Sequence, residues 1–157
     1  MVKINSSSRF SDITHKIILM QTDTTVGFLS QDATMLLEIK SRKSNKAFIK
    51  VYRNFKTLKS EKNRIPNSKK NLLRRSKKTT FIVKNQAFRV AKYEVHSEIL
   101  RKLKWTYSTS ANESEKNFNR DFCEEKADII IENENRLFEG QASKLYKINN
   151  RAIKRLR

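Results

Sequence analysis

Short apolar runs, none longer than a single strand, are spaced along the whole chain with helix-prone segments between them. Residues 16–21 and 128–131 are the clearest, through Ile17-Ile18-Leu19-Met20 and Ile129-Ile130-Ile131. Others are Val26 to Ser30, Lys46 to Tyr52, Thr79 to Val83, Ala87 to Val90, 105–109, Leu145 to Ile148 and Ala152 to Leu156. Runs this short, rich in β-branched and aromatic residues, read as strands. Between them Asp32 is placed to cap a helix through Ile39, with Met35, Leu36 and Ile39 at helical spacing. Further helical segments are expected near 54–60, 67–76, 93–103 and 119–126. This alternation predicts an α/β fold: a single-domain twisted mixed β-sheet with flanking helices over residues 1–157. Residues 1–15, which are polar, are expected to be a loosely ordered leading segment or a short helix.

Glycine and proline are reduced to Gly27, Gly140 and Pro66. Two distant glycines cannot build a GxGxxG fingerprint or a Walker A loop, so any phosphate must be held by side chains and ordinary backbone amides. His15 and His96 stand apart from each other and from the single cysteine, which leaves no metal-ligand spacing. No nucleophile elbow is present, although a dispersed Ser-His-Asp triad stays open on sequence alone. No run approaches the length of a membrane span, and the first residues lack the apolar core of a signal peptide. A lone Cys123 cannot make an internal disulfide, which fits a cytoplasmic location. Its neighbours Asp121, Glu124 and Glu125 disfavour a thiolate.

The chain carries 35 Lys and Arg against 16 Asp and Glu, a formal charge of +19. A field of that sign attracts polyanions such as RNA, DNA, nucleotides or anionic membrane, and also describes a merely solvated lysine-rich surface. The densest stretch runs from Lys59 to Lys78, and it reads first as a solvated face, as charge runs usually do, with an RNA-facing arm as the alternative.

Candidate site residues cluster at strand ends. Ser108-Thr109-Ser110-Ala111-Asn112 follows an apolar strand approach. If the chain stays extended, alternation aims Ser108, Ser110 and Asn112 to one side, and hydroxyls and amides there suit a phosphorylated ligand; an ordinary turn is the plain alternative. Lys40 and Arg42 fall at or just past the end of the first helix, where cations also complement the helix dipole. Arg89 lies among apolar neighbours, so it either faces the surface or is paired.

The order of these elements resembles the YrdC-like family of threonylcarbamoyl-adenylate synthases. The family's P-T-[DE]-T-[VI]-[YF]-G motif is matched by Gln21-Thr22-Asp23-Thr24-Thr25-Val26-Gly27. Its I-K-x-R-P-x-x-K-P-L motif is matched by Ile39 to Phe48, and S-T-S-A-N is intact at 108–112. Thr80-Phe81-Ile82, Phe88-Arg89 with His96 beyond, Gly140 to Leu145, and Ile153-Lys154-Arg155 echo the later elements. The resemblance covers roughly residues 16–157. The chain departs from the pattern at Gln21, Val26, Lys43 and Ala47, and Ser76-Lys77-Lys78 stands where the family has Pro-Gly-Pro.

The resemblance implies a YrdC-like sheet with a basic concave cleft. It implies synthesis of threonylcarbamoyl-AMP from threonine, bicarbonate and ATP, with Mg²⁺ accompanying ATP and pyrophosphate released. The adenylate would pass to a tRNA-modifying transferase partner. Lys40, Arg42, Ser110 and Asn112 would be catalytic. Arg42, Lys46, Ser110, Asn112 and Arg155 would hold ATP, and Thr22, Arg89, Ser108 and Ser143 would hold threonine. No metal site within the protein and no membrane contact are expected. The alternative implied by the same resemblance is an RNA-binding module of this fold, for double-stranded RNA or tRNA, without synthase activity.

Overall fold

The structure is a computed structural model. It describes residues 2–4, 13–40, 48–61, 64–92, 94–114 and 116–157, with the backbone alone at 2–4 and 94–98. Arg42, Lys43, Lys46 and Ala47, together with the side chain of His96, lie outside the described residues.

Ten strands form one mixed sheet: β1 (Val2–Ile4), β2 (Ile18–Gln21), β3 (Val26–Ser30), β4 (Ile49–Tyr52), β5 (Thr79–Val83), β6 (Gln86–Val90), β7 (Trp105–Ser110), β8 (Ile129–Ile131), β9 (Lys144–Ile148) and β10 (Ile153–Arg155). Their order across the sheet is β1-β8-β2-β3-β7-β4-β6-β5-β9-β10. The pairs β2–β8, β4–β6 and β5–β9 are parallel, and the remaining pairs are antiparallel. Among the described residues five helices flank it: α1 (Ala33–Lys40), α2 (Phe55–Ser60), α3 (Lys70–Arg75, entered by a 3-10 turn at Asn67–Lys69), α4 (Glu94–Leu103) and α5 (Arg120–Lys126).

Local chemistry starts these helices where the sequence places them. The Thr34 amide donates to Asp32 Oδ1 at 2.9 Å, the Thr57 amide to Asn54 Oδ1 at 2.8 Å, and the Phe122 amide to Asn119 Oδ1 at 2.9 Å. Two departures from the sequence reading stand out. Val2–Ile4 is neither loop nor helix but pairs antiparallel with β8 (Val2 opposite Ile131), since that strand otherwise presents an open edge. Strand character also stops at Ser110, so Asn112 does not continue the alternation of Ser108 and Ser110.

The period of two along each strand decides where the open face lies. Leu19, Phe28 and Tyr107 pack with α1 and α5 through Leu36, Phe122 and Cys123. Trp105, Tyr52, Phe88 and Phe81 pack with Leu58 of α2 and Leu73 of α3. The alternate residues of these strands point the other way. Ile18, Met20 and Leu29 meet Ile99 and Leu103 of α4, and Val51 meets Leu100. On that second face α4 covers only part of the sheet. Beyond it the inward positions change from apolar to polar at Ser108, Ser110, Arg89 and Thr80, and a cleft opens there.

Candidate functional site

The cleft has a volume of about 710 Å³ and draws its walls from six strands and the segments that join them. Thr22, Thr24 and Gly27 form one wall, Ser108 to Ser110 the floor, Arg89 the middle, and Ser143, Lys147 and Arg157 the far side. A cavity of this size accommodates a small-molecule ligand of drug or nucleotide dimensions.

The corner at 22–25 is built from its own hydroxyls. Thr22 Oγ1 donates to the Thr25 carbonyl at 2.7 Å, and the Thr24 amide donates to Thr22 Oγ1 at 3.2 Å. Arg89 Nη1 donates to Thr24 Oγ1 at 2.9 Å, which ties the corner to β6 across 65 residues of sequence. A strap from Leu137 to Ala142 crosses the back of the corner. The Phe138 amide donates to Gln21 Oε1 at 3.1 Å, the Val26 amide to the Phe138 carbonyl at 3.2 Å, and the Gly140 amide to Thr25 Oγ1 at 3.0 Å. The strap approaches so closely that a Cβ on Gly140 would lie 2.1 Å from the Thr24 carbonyl oxygen, which requires glycine there.

Arg89 is 3% exposed and therefore not a surface-facing strand residue. Its Nη2 is 3.4 Å from Asp23 Oδ1, an ion pair whose geometry is too loose for a hydrogen bond. Among the described residues neither Asp23 oxygen has a hydrogen-bond partner, and Arg89 Nε has none. Burial pulls the guanidinium's pKa down, and the Asp23 charge opposes that pull. A buried cation with an unspent donor in a cleft wall is suited to a ligand carboxylate or phosphate.

A second cluster adjoins the first. Lys40, the last residue of α1, is 1% exposed; the sequence reading allowed it a helix-end role and, by the resemblance, a catalytic one. Its Nζ donates to the Asn112 carbonyl at 2.5 Å and to Asn112 Oδ1 at 2.6 Å. Ser110 Oγ donates to the same Oδ1 at 2.7 Å, the Asn112 side-chain amide donates to the Lys116 carbonyl, and Ser114 Oγ donates to the Lys40 carbonyl at 2.5 Å. Asn112 thus leaves the strand line and turns back onto α1. Ser110 belongs to both groups, since it also lines the cleft.

The expected residues therefore fall into three sets. Thr22, Arg89, Ser108, Ser110 and Ser143 share the cleft. Lys40 and Asn112 meet each other beside it. Arg155 is exposed on β10, and its Nε donates to the Arg157 carbonyl at 3.2 Å. Arg157, which sequence reasoning missed, lines the cleft and donates from Nε to the Ser143 carbonyl at 3.1 Å. Thr80 was also missed; its hydroxyl meets Ser143 Oγ at 2.8 Å. The available signal was the place of Thr80-Phe81-Ile82 among the elements that echo the family pattern. Cys123 is buried, and burial raises its thiol to a pKa of about 11 against the opposing pull of the Asn119 backbone and the Lys40 charge; the acidic neighbours of the sequence reading are not the cause.

These features define an α/β protein with a ten-stranded mixed sheet and a polar, arginine-containing cleft at the strand ends. The sequence model of the Sua5/YciO/YrdC family, described as "Telomere recombination", matches residues 14–157, and the chain belongs to that family. Among solved structures it is similar to the H234A/Y235A form of Sua5 from P. abyssi, at 18% identity and a TM-score of 0.77, over 90% of this chain and 52% of that one. P. abyssi Sua5 complexed with L-threonine gives 18% identity and a TM-score of 0.73, over 90% of this chain and 50% of that one. Full-length HypF in its phosphate- and nucleotide-bound form gives 17% identity and a TM-score of 0.73, over 100% of this chain and 25% of that one. The chain thus spans about half of Sua5 and a quarter of HypF, and at these identities the likeness is one of fold. No curated protein sequence matches significantly.

Proposed function

We propose that the chain is an L-threonylcarbamoyladenylate synthase, a nucleotidyltransferase that uses threonine, bicarbonate and MgATP. The observation that carries this reading is the shared cleft. Thr22, Arg89, Ser108 and Ser143 come to it from four separate parts of the chain, and Ser110 joins it to the Lys40–Asn112 cluster.

In this reading Arg89 pairs with the threonine carboxylate, using the Nε donor that has no partner among the described residues. Thr22, Ser108 and Ser143 orient the rest of the amino acid by hydroxyl hydrogen bonds. The amine takes up carbon dioxide derived from bicarbonate and becomes a carbamate. A carbamate oxygen then attacks the α-phosphorus, an O–P bond forms, and the bond to pyrophosphate breaks with the electron pair leaving on the pyrophosphate oxygen. Charge shifts among phosphate oxygens during that step, and fixed cations stabilise it without a base. Lys40, Arg42, Lys46 and Arg155 are the cations assigned here to ATP, with Ser110 and Asn112 holding the nucleotide. Among the described residues no three His, Cys, Asp or Glu side chains come together to hold a metal. Mg²⁺ would arrive with ATP, held by phosphate oxygens and water. The product, a reactive mixed anhydride, would pass to a tRNA-modifying transferase partner in the cytoplasm.

The test is pyrophosphate release from MgATP with threonine and bicarbonate supplied together and singly. Release that needs both supports the assignment. No release by folded protein, or release indifferent to threonine, overturns it.

A further inference from the structure

The sheet ends on a hairpin whose outer strand is open. β10 stands last in the strand order, its residues are all exposed, and among the described residues nothing pairs with its outer side. Register fixes which backbone groups face that side. The Asn149 amide donates to the Ala152 carbonyl at 3.1 Å and the Leu156 amide to the Leu145 carbonyl at 2.8 Å, so residues 152 and 156 bond inward. Inward and outward positions alternate along an antiparallel strand. Lys154, opposite Lys147, therefore bonds inward as well, while Ile153 and Arg155, opposite Ile148 and Tyr146, turn their amides and carbonyls outward. These outward groups are a template for one more strand.

The side chains beside the edge say which kind of strand fits. Among the described residues the exposed large apolar side chains are Leu72, Phe138, Ile153 and Leu156, and the last two lie on β10 and just past it. They are 44% and 47% exposed. From Gly140 to Arg157 there is no Asp or Glu, while Lys144, Lys147, Arg151, Lys154 and Arg155 all fall on the β9–β10 hairpin. Cations on an edge deter unselective pairing. By the same repulsion they oppose a second copy of this chain, which would set cation against cation, and they favour an acidic strand. A nucleic acid matches the charge, but its phosphates only accept hydrogen bonds and offer nothing to the outward carbonyls or to Ile153 and Leu156.

We propose that β10 is a docking edge for an acidic, extended segment of a partner protein, which adds to the sheet as a further strand. Main-chain hydrogen bonds to Ile153 and Arg155 hold it, and the cations select its acidic side chains. The edge is continuous with the cleft, since Leu156 lines the cleft and so does Lys147, the cross-strand neighbour of Lys154. A segment bound there stands at the far rim of the cleft. That the partner is the protein receiving the adenylate rests on the proposed function; the docking edge itself does not.

Fluorescence anisotropy with a short labelled peptide alternating glutamate and valine tests the proposal. Ile153→Ala keeps the outward amide, and Ile153→Pro removes it at the first position of an edge strand, where proline is tolerated. Ile153→Pro is expected to bind the peptide about 3- to 10-fold more weakly than Ile153→Ala, the equivalent of one hydrogen bond. Arg151→Glu with Lys154→Glu changes only exposed side chains, so it stays readable if the proline variant does not fold. It is expected to weaken the peptide about 10-fold or more at low salt and to bind a lysine–valine peptide instead. Lys56→Glu with Arg101→Glu, the same charge change on α2 and α4, is expected to leave affinity within a factor of about two. Equal loss in that control, or equal binding of a peptide with proline at its central valines, reduces the effect to net charge and overturns the edge. A dimer in ultracentrifugation that Ile153→Pro dissolves overturns the choice of partner in favour of a second copy. An RNA hairpin weakened by Ile153→Pro where the peptide is not overturns the choice of a protein. Pyrophosphate release is measured on the same proteins. If the wild type releases none, the synthase reading fails while the peptide still decides the edge.

Discussion

Arg89 carries the most testable chemistry in the molecule. Its guanidinium is nearly sealed from solvent, yet among the described residues only Nη1 has a well-formed hydrogen bond, to Thr24, and the Asp23 carboxylate is paired loosely at 3.4 Å. An under-satisfied buried cation is costly, and a ligand carboxylate at Nε would recover part of that cost. Arg89→Lys keeps the charge beside Asp23 but removes the planar fork. Calorimetry on the folded variant is expected to show threonine affinity reduced about 10- to 100-fold, the equivalent of one charge-assisted hydrogen bond. Unchanged threonine affinity would remove Arg89 from the carboxylate site. At this scale the sequence was half legible. A cation among apolar strand residues signals either a surface position or a partner, but its partners lie on a corner 65 residues away. Lys40 was half legible for the same reason: the resemblance marked it as a site residue but not what holds it. Its helix-end position is local information, and the Asn112 that accepts its Nζ is 72 residues distant.

At the scale of elements, the strands were legible because each has a run of β-branched or aromatic residues, and three helix starts were legible because Asp32, Asn54 and Asn119 are side-chain caps. The strap at 137–142 was not legible as a strap, although Gly140 to Ala142 fall within the element that echoes the family pattern. Its role rests on backbone groups, which every sequence supplies alike. Residue Gly140 is the exception, as a glycine in a chain with only one other. Arg120 braces the approach to the strap, donating to Glu124 on its own helix and through both Nη atoms to Glu132, whose carboxylate it holds below the usual range. A methyl group at 140 must displace either the strap or the Thr22–Thr25 corner, since the atom it meets is backbone. Gly140→Ala is expected to cost about 1–3 kcal/mol in urea unfolding, the usual range for overpacking. Because the displaced backbone is the threonine corner, it is also expected to weaken threonine binding more than ATP binding. Equal stability and equal binding would show that the strap is not tied to the corner as closely as described.

Across the whole molecule, strand order is what sequence order could not supply. Neighbours in the sheet such as β3 and β7, or β5 and β9, are far apart in the chain, and nothing local in either strand specifies its partner. The consequence is a division of labour around β7, the strand between β3 and β4. Its inward Ser108 faces the cleft with Arg89, while Ser110 at its end reaches both the cleft and the Asn112 turn secured by Lys40. If threonine occupies the first region and nucleotide the second, the two binding steps are separable by mutation. Lys40→Met keeps the length of the buried stem and removes the charge that anchors Asn112. Calorimetry is expected to show ATP affinity lowered at least about 10-fold, as loss of charge-assisted hydrogen bonds at one end of a network implies, with threonine affinity within a factor of about two. Pyrophosphate release would fall with the ATP affinity. The opposite pattern, threonine lost and ATP retained, would exchange the two regions: the Lys40–Asn112 cluster would then serve the amino acid and the Arg89 cleft the nucleotide. Equal loss of both would mean that the β7 end is one site, and that Lys40 supports it as a whole.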